Sequence, residues 1–302
     1  MACILDQLGK GAHVGIVRLR SLGDCVLTTP AIRLLKEHRP DLRLGVVCEA
    51  RFAAVFESNP DVDDLVEPSL RALYRFAPHL CVNLHGGMRS LLLTLFSGAR
   101  YRAGFEHFRF SALYNVRIPR AQQILGVSRK VHTAEHLASA MFYLGVPVSA
   151  IPRARVYAKP LRSTTPYAVI HPFASSPAKT WPADRFCAVA EYMRRQMDLE
   201  PIFVGGPGDD LARFRPFRLH SGSLEDTKRL FQGASLFVGN DSGPAHLAAA
   251  SGIPVVVLFA ASDPTIWGPW QTVSETIFAP GGISSIPVSR VVEALDRLRV
   301  KA

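Results

Sequence analysis

The sequence predicts two doubly wound α/β domains facing each other across a cleft. Three observations carry this expectation. Strand-like and helix-like patterns alternate through the first half of the chain and then again through the second. A proline-rich stretch without long periodicity separates the two series. Residues 255–259 (VVVLF) form a continuous apolar run of the kind that parallel strands buried on both faces require. The 302 residues suit two domains of ordinary size, and 48% hydrophobic residues supply material for two cores.

In chain order, residues 13–19 (HVGIVRL) read as a strand, followed by a helix with its body at 31–38 and Pro30 in its first turn. Strands follow at 42–48, 62–66 and 80–84, with helices at 52–57 and 89–96. Residues 132–144 carry apolar side chains at helical spacing and end at Gly145, a natural helix stop. The first domain is therefore placed at 1–150 and a linker at 151–166, within a stretch holding prolines 147, 152, 160 and 166. The second domain, 167–302, repeats the alternation. It has strands at 167–171, 201–204, 235–238 and 255–259, and helices at 183–197, 224–232, 245–250 and 288–298.

Composition narrows the function classes. The opening residues lack a basic cluster followed by an apolar core, and the most apolar stretch, 253–261, is too short to span a bilayer. A soluble or peripheral protein is expected. Five dispersed cysteines without a C-x-x-C pair argue against a metal knuckle or redox dithiol and suit a reducing cytoplasm. The net charge is +10, and residues 71–130 hold ten basic residues against one acid, Glu106. That stretch reads either as a solvated basic surface or as a patch for an anionic partner. No helix-turn-helix or RNP sequence accompanies it, so nucleic acid is not expected as a partner.

In doubly wound sheets ligands sit at the carboxyl ends of strands, so the loops there carry the chemistry. After the first strand comes Arg20-Ser21-Leu22-Gly23-Asp24, in which Gly23 permits a tight turn. Asp24 reads either as a helix N-cap or as a carboxylate pointing into the cleft as a general base; a capping carboxylate is the weaker base, so the roles compete. In Asn240-Asp241-Ser242-Gly243-Pro244-Ala245-His246 an apolar strand gives way to a helix start, which suits an anion cradle. Ser242 offers a hydroxyl, Gly243 close backbone approach, and Pro244 a position needing no N–H, while His246 lies about one turn in. The alternative is a capped helix with an incidental histidine. Lys179, after the Ser175-Ser176 pair, reads as a counter-charge for a leaving diphosphate or as a surface lysine. Gly206, Asp209 and Asp210 follow another strand in a turn whose carboxylates suit ribose hydroxyls; the turn is neither a P-loop nor G-x-G-x-x-G. His85-Gly86-Gly87-Met88-Arg89 ends a strand in the first half, where Arg89 reads as an anchor for an acidic acceptor or as a surface arginine. His132, Glu135 and His136 share a helical face, but nothing completes a metal site, and none is expected.

Taken together and in order, RLRSLGD, TTPAIRLLK, DLVEPS, HGGMRS, HPFASSPAKTWP, FVGGPGDD and FVGNDSGPAHLAAASGIPVVVLF resemble the ADP-heptose:lipopolysaccharide heptosyltransferases, glycosyltransferase family 9. The resemblance implies a GT-B fold of two Rossmann-like domains and inverting, metal-independent, cofactor-free transfer of a heptose or related sugar from an ADP-sugar to an anionic glycolipid of lipopolysaccharide-core type. It implies a cytoplasmic enzyme, peripheral at the inner face of the inner membrane. Asp24 falls on the catalytic carboxylate. Ser175, Ser176, Lys179, Gly206, Asp209, Asp210, Asp241, Ser242, Gly243, Pro244 and His246 fall on the donor side, and Arg20, Ser21, Gly23, His85 and Arg89 on the acceptor side. Phe173 stands where many members carry glycine and is expected to narrow the pocket; Asn83 stands where many carry aspartate. Two rival readings keep the same fold: a non-catalytic nucleotide-sugar or glycolipid-binding module, and a nucleotide-sugar epimerase or hydrolase.

Overall fold

A computed structural model describes residues 3–301, with side chains described through residue 298. The chain divides into two compact units between Tyr157 and Ala158. No helix or strand occurs from residue 146 to residue 166, the stretch that holds the division.

The first unit contains strands β1 (His13–Val17), β2 (Arg43–Val47), β3 (Asp64–Val66), β4 (Leu80–Asn83), β5 (Tyr101–Phe105) and β6 (Val116–Ile118). Its helices are α1 (Leu22–His38), α2 (Ala50–Ala53), α3 (Leu70–Phe76), α4 (Met88–Leu95), α5 (Ala121–Leu125) and α6 (Thr133–Leu144). The second unit contains β7 (Tyr167–His171), β8 (Glu200–Val204), β9 (Arg218–His220), β10 (Leu236–Asn240), β11 (Val255–Phe259) and β12 (Ser274–Phe278). Its helices are α7 (Ala183–Gln196), α8 (Leu224–Gln232), α9 (Gly243–Ser251), α10 (Pro264–Trp267) and α11 (Val288–Lys301).

Both sheets are parallel throughout. Their orders are β3-β2-β1-β4-β5-β6 and β12-β11-β10-β7-β8-β9. Counted from its own first strand, each unit has the same order, 3-2-1-4-5-6. The winding reverses between β1 and β4 in one unit and between β7 and β10 in the other. At such a reversal the following helices leave on opposite faces and open a crevice at the strands' carboxyl ends. Four of the loops singled out from the sequence leave these four strands, and the Gly206–Asp210 turn leaves the neighbouring β8. In the second unit, Gly239 lets β10 close on β7: a Cβ there would stand 2.9 Å from the carbonyl oxygen of His171.

Several elements depart from the sequence expectation. Helix α1 begins nine residues before 31, with Pro30 in its interior. Proline withholds the N–H that the Val26 carbonyl would accept, but the Thr29 hydroxyl donates to that carbonyl at 2.8 Å. Strands β5, β6, β9 and β12 and helices α3, α5 and α10 have no counterpart in the sequence reading. Strands β5 and β6 lie inside the basic stretch, whose arginines are dispersed. Arg129 pairs with Glu135, Arg102 donates to the Ala99 carbonyl, and Arg117 lies on β6. His132 and Glu135 form the capping box of α6, with Glu135 accepting from the His132 N–H at 2.7 Å, while His136 stacks on Phe105 at 4.1 Å. Among the described residues no group of His, Cys, Asp and Glu side chains could hold a metal ion.

Candidate active site

In the first unit, β1 runs straight into the turn that starts α1. Ser21 takes the N-cap position, and Asp24 sits in the first turn. The capping reading of Asp24 is therefore corrected: its carboxylate lies where the helix dipole favours a negative charge, and the cap position belongs to another residue. One carboxylate oxygen accepts from the Ser21 hydroxyl at 2.9 Å, and the other lies 3.5 Å from Arg18 Nη1. Arg18 is only 4% exposed. Its guanidinium also donates to the Leu84 carbonyl, and its Nε meets no acceptor. Burial lowers its pKa, and the neighbouring Asp24 carboxylate opposes that shift without cancelling it.

The loop after β4 meets this turn. The Asn83 carbonyl oxygen accepts from the N–H groups of His85 and Gly86 at 3.0 and 3.1 Å, and its amide donates to Ser90 and Tyr114 at 3.1 and 2.8 Å. An amide suits a position that must both give and take hydrogen bonds. Burial, with Arg18 behind it, lowers the pKa of His85, while Asp24 opposes the shift. The fold thus gathers Asp24, Arg18, Ser21 and His85 at one switch point. Gly23 is buried in the same turn, and Arg20 is exposed beside it. Arg89 is drawn toward the end of β2, where it pairs with Glu49 at 3.0 Å. Glu49 is held below the usual carboxylate range by its bond to Arg51, with Arg89 adding to the effect.

In the second unit, Ser242 caps α9 by position, yet its side chain makes no capping hydrogen bond. Its hydroxyl lies 3.2 Å from His171 Nδ1 instead. The first turn of α9 is therefore not closed by its own serine, which leaves its N–H groups for an anion. His171 is buried, and desolvation lowers its pKa to about 4, so its ring is neutral near pH 7. Asp241, also buried, accepts from Lys179 Nζ at 2.7 Å and from the Ser262 hydroxyl. Asn240 ties the same loops together, accepting from the Trp181 N–H at 3.1 Å and donating to the Pro172 carbonyl at 2.9 Å. Asp241 thus holds the lysine beside the α9 start.

Ser175, Ser176 and Asp210 line a cavity of about 570 Å³ with Phe173, Arg213 and Phe214. Phe173, expected to narrow the pocket, walls this cavity and meets Phe214 edge-on at 6.1 Å. Gly206 and Asp209 close their own turn through a 2.8 Å bond, and Asp210 accepts from the Ala212 N–H at 2.9 Å. Pro244 is in the first turn of α9, and His246 is buried with its ring 6.4 Å from that of Trp267. Sequence reasoning missed Arg18, His171, Asn240 and Ser262 as site residues. All but Ser262 stood inside quoted motifs, Arg18 opening RLRSLGD, His171 opening HPFASSPAKTWP and Asn240 opening N-D-S-G-P-A-H, but nothing local marked them as reaching the site.

Two parallel sheets of this order, each with its motif loops at the reversal, define the architecture of the GT-B glycosyltransferases. Solved structures agree. A glycosyl transferase family 9 protein from Veillonella parvula superposes with a TM-score of 0.85 at 21% identity, covering 97% of this chain and 98% of the other. The E. coli heptosyltransferase WaaC with ADP superposes with a TM-score of 0.78 at 19% identity, covering 94% and 99%. In sequence, the chain is 26% identical to lipopolysaccharide heptosyltransferase 3 of Escherichia coli over 93% of this chain and 97% of that one. The family model for glycosyltransferase family 9 (heptosyltransferase) matches residues 70–282. The chain belongs to that family and is a glycosyltransferase.

Proposed function

We propose that the protein transfers a heptose or a related sugar from an ADP-sugar to an anionic glycolipid of lipopolysaccharide-core type, with inversion at the anomeric carbon and without a metal ion. The observation that carries this reading is the pairing of chemistries at the two sheet reversals. One holds a carboxylate with no capping duty, and the other holds an open helix start beside a fixed lysine.

Asp24 takes the proton from the acceptor hydroxyl as its oxygen attacks the anomeric carbon. Arg18 and Ser21 keep that carboxylate oriented. The bond to the diphosphate breaks, and its growing charge is met by the first-turn N–H groups of α9, the Ser242 hydroxyl and Lys179. Ser175, Ser176, Gly206, Asp209 and Asp210 serve the nucleoside, and Arg20, His85 and Arg89 the acceptor. The related E. coli lipopolysaccharide heptosyltransferase 3 and the ADP complex of WaaC support the choice of donor and acceptor.

The test is Asp24→Asn, assayed for sugar transfer and titrated with ADP. Loss of a general base is expected to lower kcat by about 10²–10⁴-fold. ADP affinity should stay within about twofold, since Asp24 is assigned no donor contact. Transfer at the wild-type rate would remove Asp24 from the mechanism.

A further inference from the structure

Three loops converge beside the α9 start, and the proposed reaction uses only two of them. Lys179 follows β7 and Asp241 follows β10, while the third loop follows β11 and is tied to the same carboxylate by the Ser262 hydroxyl. Beyond Ser262 the chain makes the single turn of α10, where the Asp263 side chain accepts from the Thr265 N–H at 2.9 Å. Gly268 closes that turn. Its N–H donates to the Pro264 carbonyl at 2.8 Å, and a Cβ there would stand 2.6 Å from the same oxygen. The turn thereby fixes Trp267, whose ring stands edge-on to that of His246 in α9.

Trp267 is half-buried, and its indole N–H meets no acceptor among the described residues. Trp181 shows the usual arrangement: it is buried, and its N–H donates to the Ile286 carbonyl at 2.9 Å. An indole offers a flat apolar face and one polar edge, and Trp267 leaves that edge unmatched.

Sheet order indicates which part of a donor would reach it. Across the second sheet, β8, β7, β10 and β11 are consecutive neighbours. Asp209 and Asp210, assigned to the nucleoside, follow β8, and the anion cradle lies at the β7–β10 reversal. A diphosphate joins the nucleoside at one end to the sugar at the other. With the nucleoside over β8 and the diphosphate at the reversal, the sugar falls toward β11 and the loop that carries Trp267. A sugar ring suits an indole, because its C–H groups make an apolar face and its hydroxyls line the edge. A cavity of about 320 Å³ flanks the same loop, lined by Ala260, Ala261, Gly281 and Gly282 among others, but it holds no aromatic ring and no charged group.

We propose that Trp267 forms the wall against which the donor's sugar packs, with the indole face on the sugar ring and the indole N–H donating to a hydroxyl. The inference rests on the reading of the donor as a nucleotide sugar, and it adds the residue that reads the transferred group.

The test is calorimetric titration of the wild type, Trp267→Ala, Trp267→Phe and Ala261→Leu with ADP, ADP-heptose and ADP-glucose, alongside tryptophan fluorescence. Trp267→Ala should weaken the better-bound ADP-sugar about tenfold and leave ADP within about twofold. Trp267→Phe should recover part of the loss, since it restores a ring face without the N–H. The ADP-sugar should shift the wild-type emission more than ADP does, and that difference should vanish in Trp267→Phe. Melting temperature checks the alanine variant, and the phenylalanine variant keeps the test decisive if the other does not fold. Equal losses for ADP and ADP-sugar, or no loss for either, would overturn the proposal. So would a loss confined to Ala261→Leu, which would seat the sugar in the neighbouring cavity. In each of those outcomes the wild type still binds the nucleotide sugar, and the donor reading stands. A wild type that binds neither ADP nor an ADP-sugar removes that reading and the sugar wall with it.

Discussion

Lys179 carries a positive charge that Asp241 fixes in place and that the proposed donor diphosphate would share. Replacing it with alanine removes a charge-assisted contact worth about 1.5–3 kcal/mol, so ADP affinity should fall about 10–100-fold by calorimetric titration. An unaltered titration would assign the lysine to structure alone. Arg18 acts differently, because it touches Asp24 from behind and also holds the Leu84 carbonyl. Arg18→Met should lower kcat by about 10–100-fold through misplacement of the carboxylate while ADP affinity holds. Arg18→Lys should recover part of the loss, which a purely steric role would not predict. Cys48 and Cys81, by contrast, are buried among apolar side chains that push their thiols up to about 12 and about 11, as expected of small hydrophobes.

Helix α1 is the element on which the acceptor-side turn depends, and its continuity is decided at Thr29. That buried hydroxyl donates to the Val26 carbonyl and accepts from the Arg155 N–H at 3.1 Å. Thr29→Val preserves the shape but leaves both backbone groups unpaired, and should cost about 1–3 kcal/mol in urea denaturation. A cost near zero would mean that water or a bend in the helix satisfies them. Helix α9 offers the complementary case, in which a helix start is left without its side-chain cap because Ser242 turns to His171. Capping by serine is worth about 0.5–2 kcal/mol, so the second unit forgoes local stability where a ligand's charge can replace it.

Each unit holds a histidine whose pKa burial depresses, His136 half-buried in the first and His171 buried in the second, and together they set an acid limit on folding. Desolvation brings His136 and His171 to about 4, against 6.5 for a free imidazole. The unfolded chain therefore binds these protons first as pH falls from 6.5 toward 4, and stability drops through that window. The slope is up to about 1.4 kcal/mol per pH unit for each ring. In denaturation series at pH 7 and pH 5, His171→Asn should flatten the dependence for the second unit; an unchanged slope would show that its ring is protonated in the folded state.

Much of this molecule follows from residues close together in the chain. Alternating strand and helix patterns, the break at 151–166 and the loop motifs are local signals, because periodicity reports which side of an element is buried and glycine or proline reports where it must turn. Only tertiary structure decided which strands became neighbours. Strand order placed β1 beside β4 and β7 beside β10 and brought Lys179 to Asp241 across 62 residues. Short edge strands such as β6 and β9 left no readable pattern, since a few residues at a sheet's edge acquire their conformation from the strand they join. A pattern names the face that must be covered, and only the folded chain supplies the cover; on α4 it covers Leu91 and Leu93 and leaves Met88, Leu92 and Phe96 exposed.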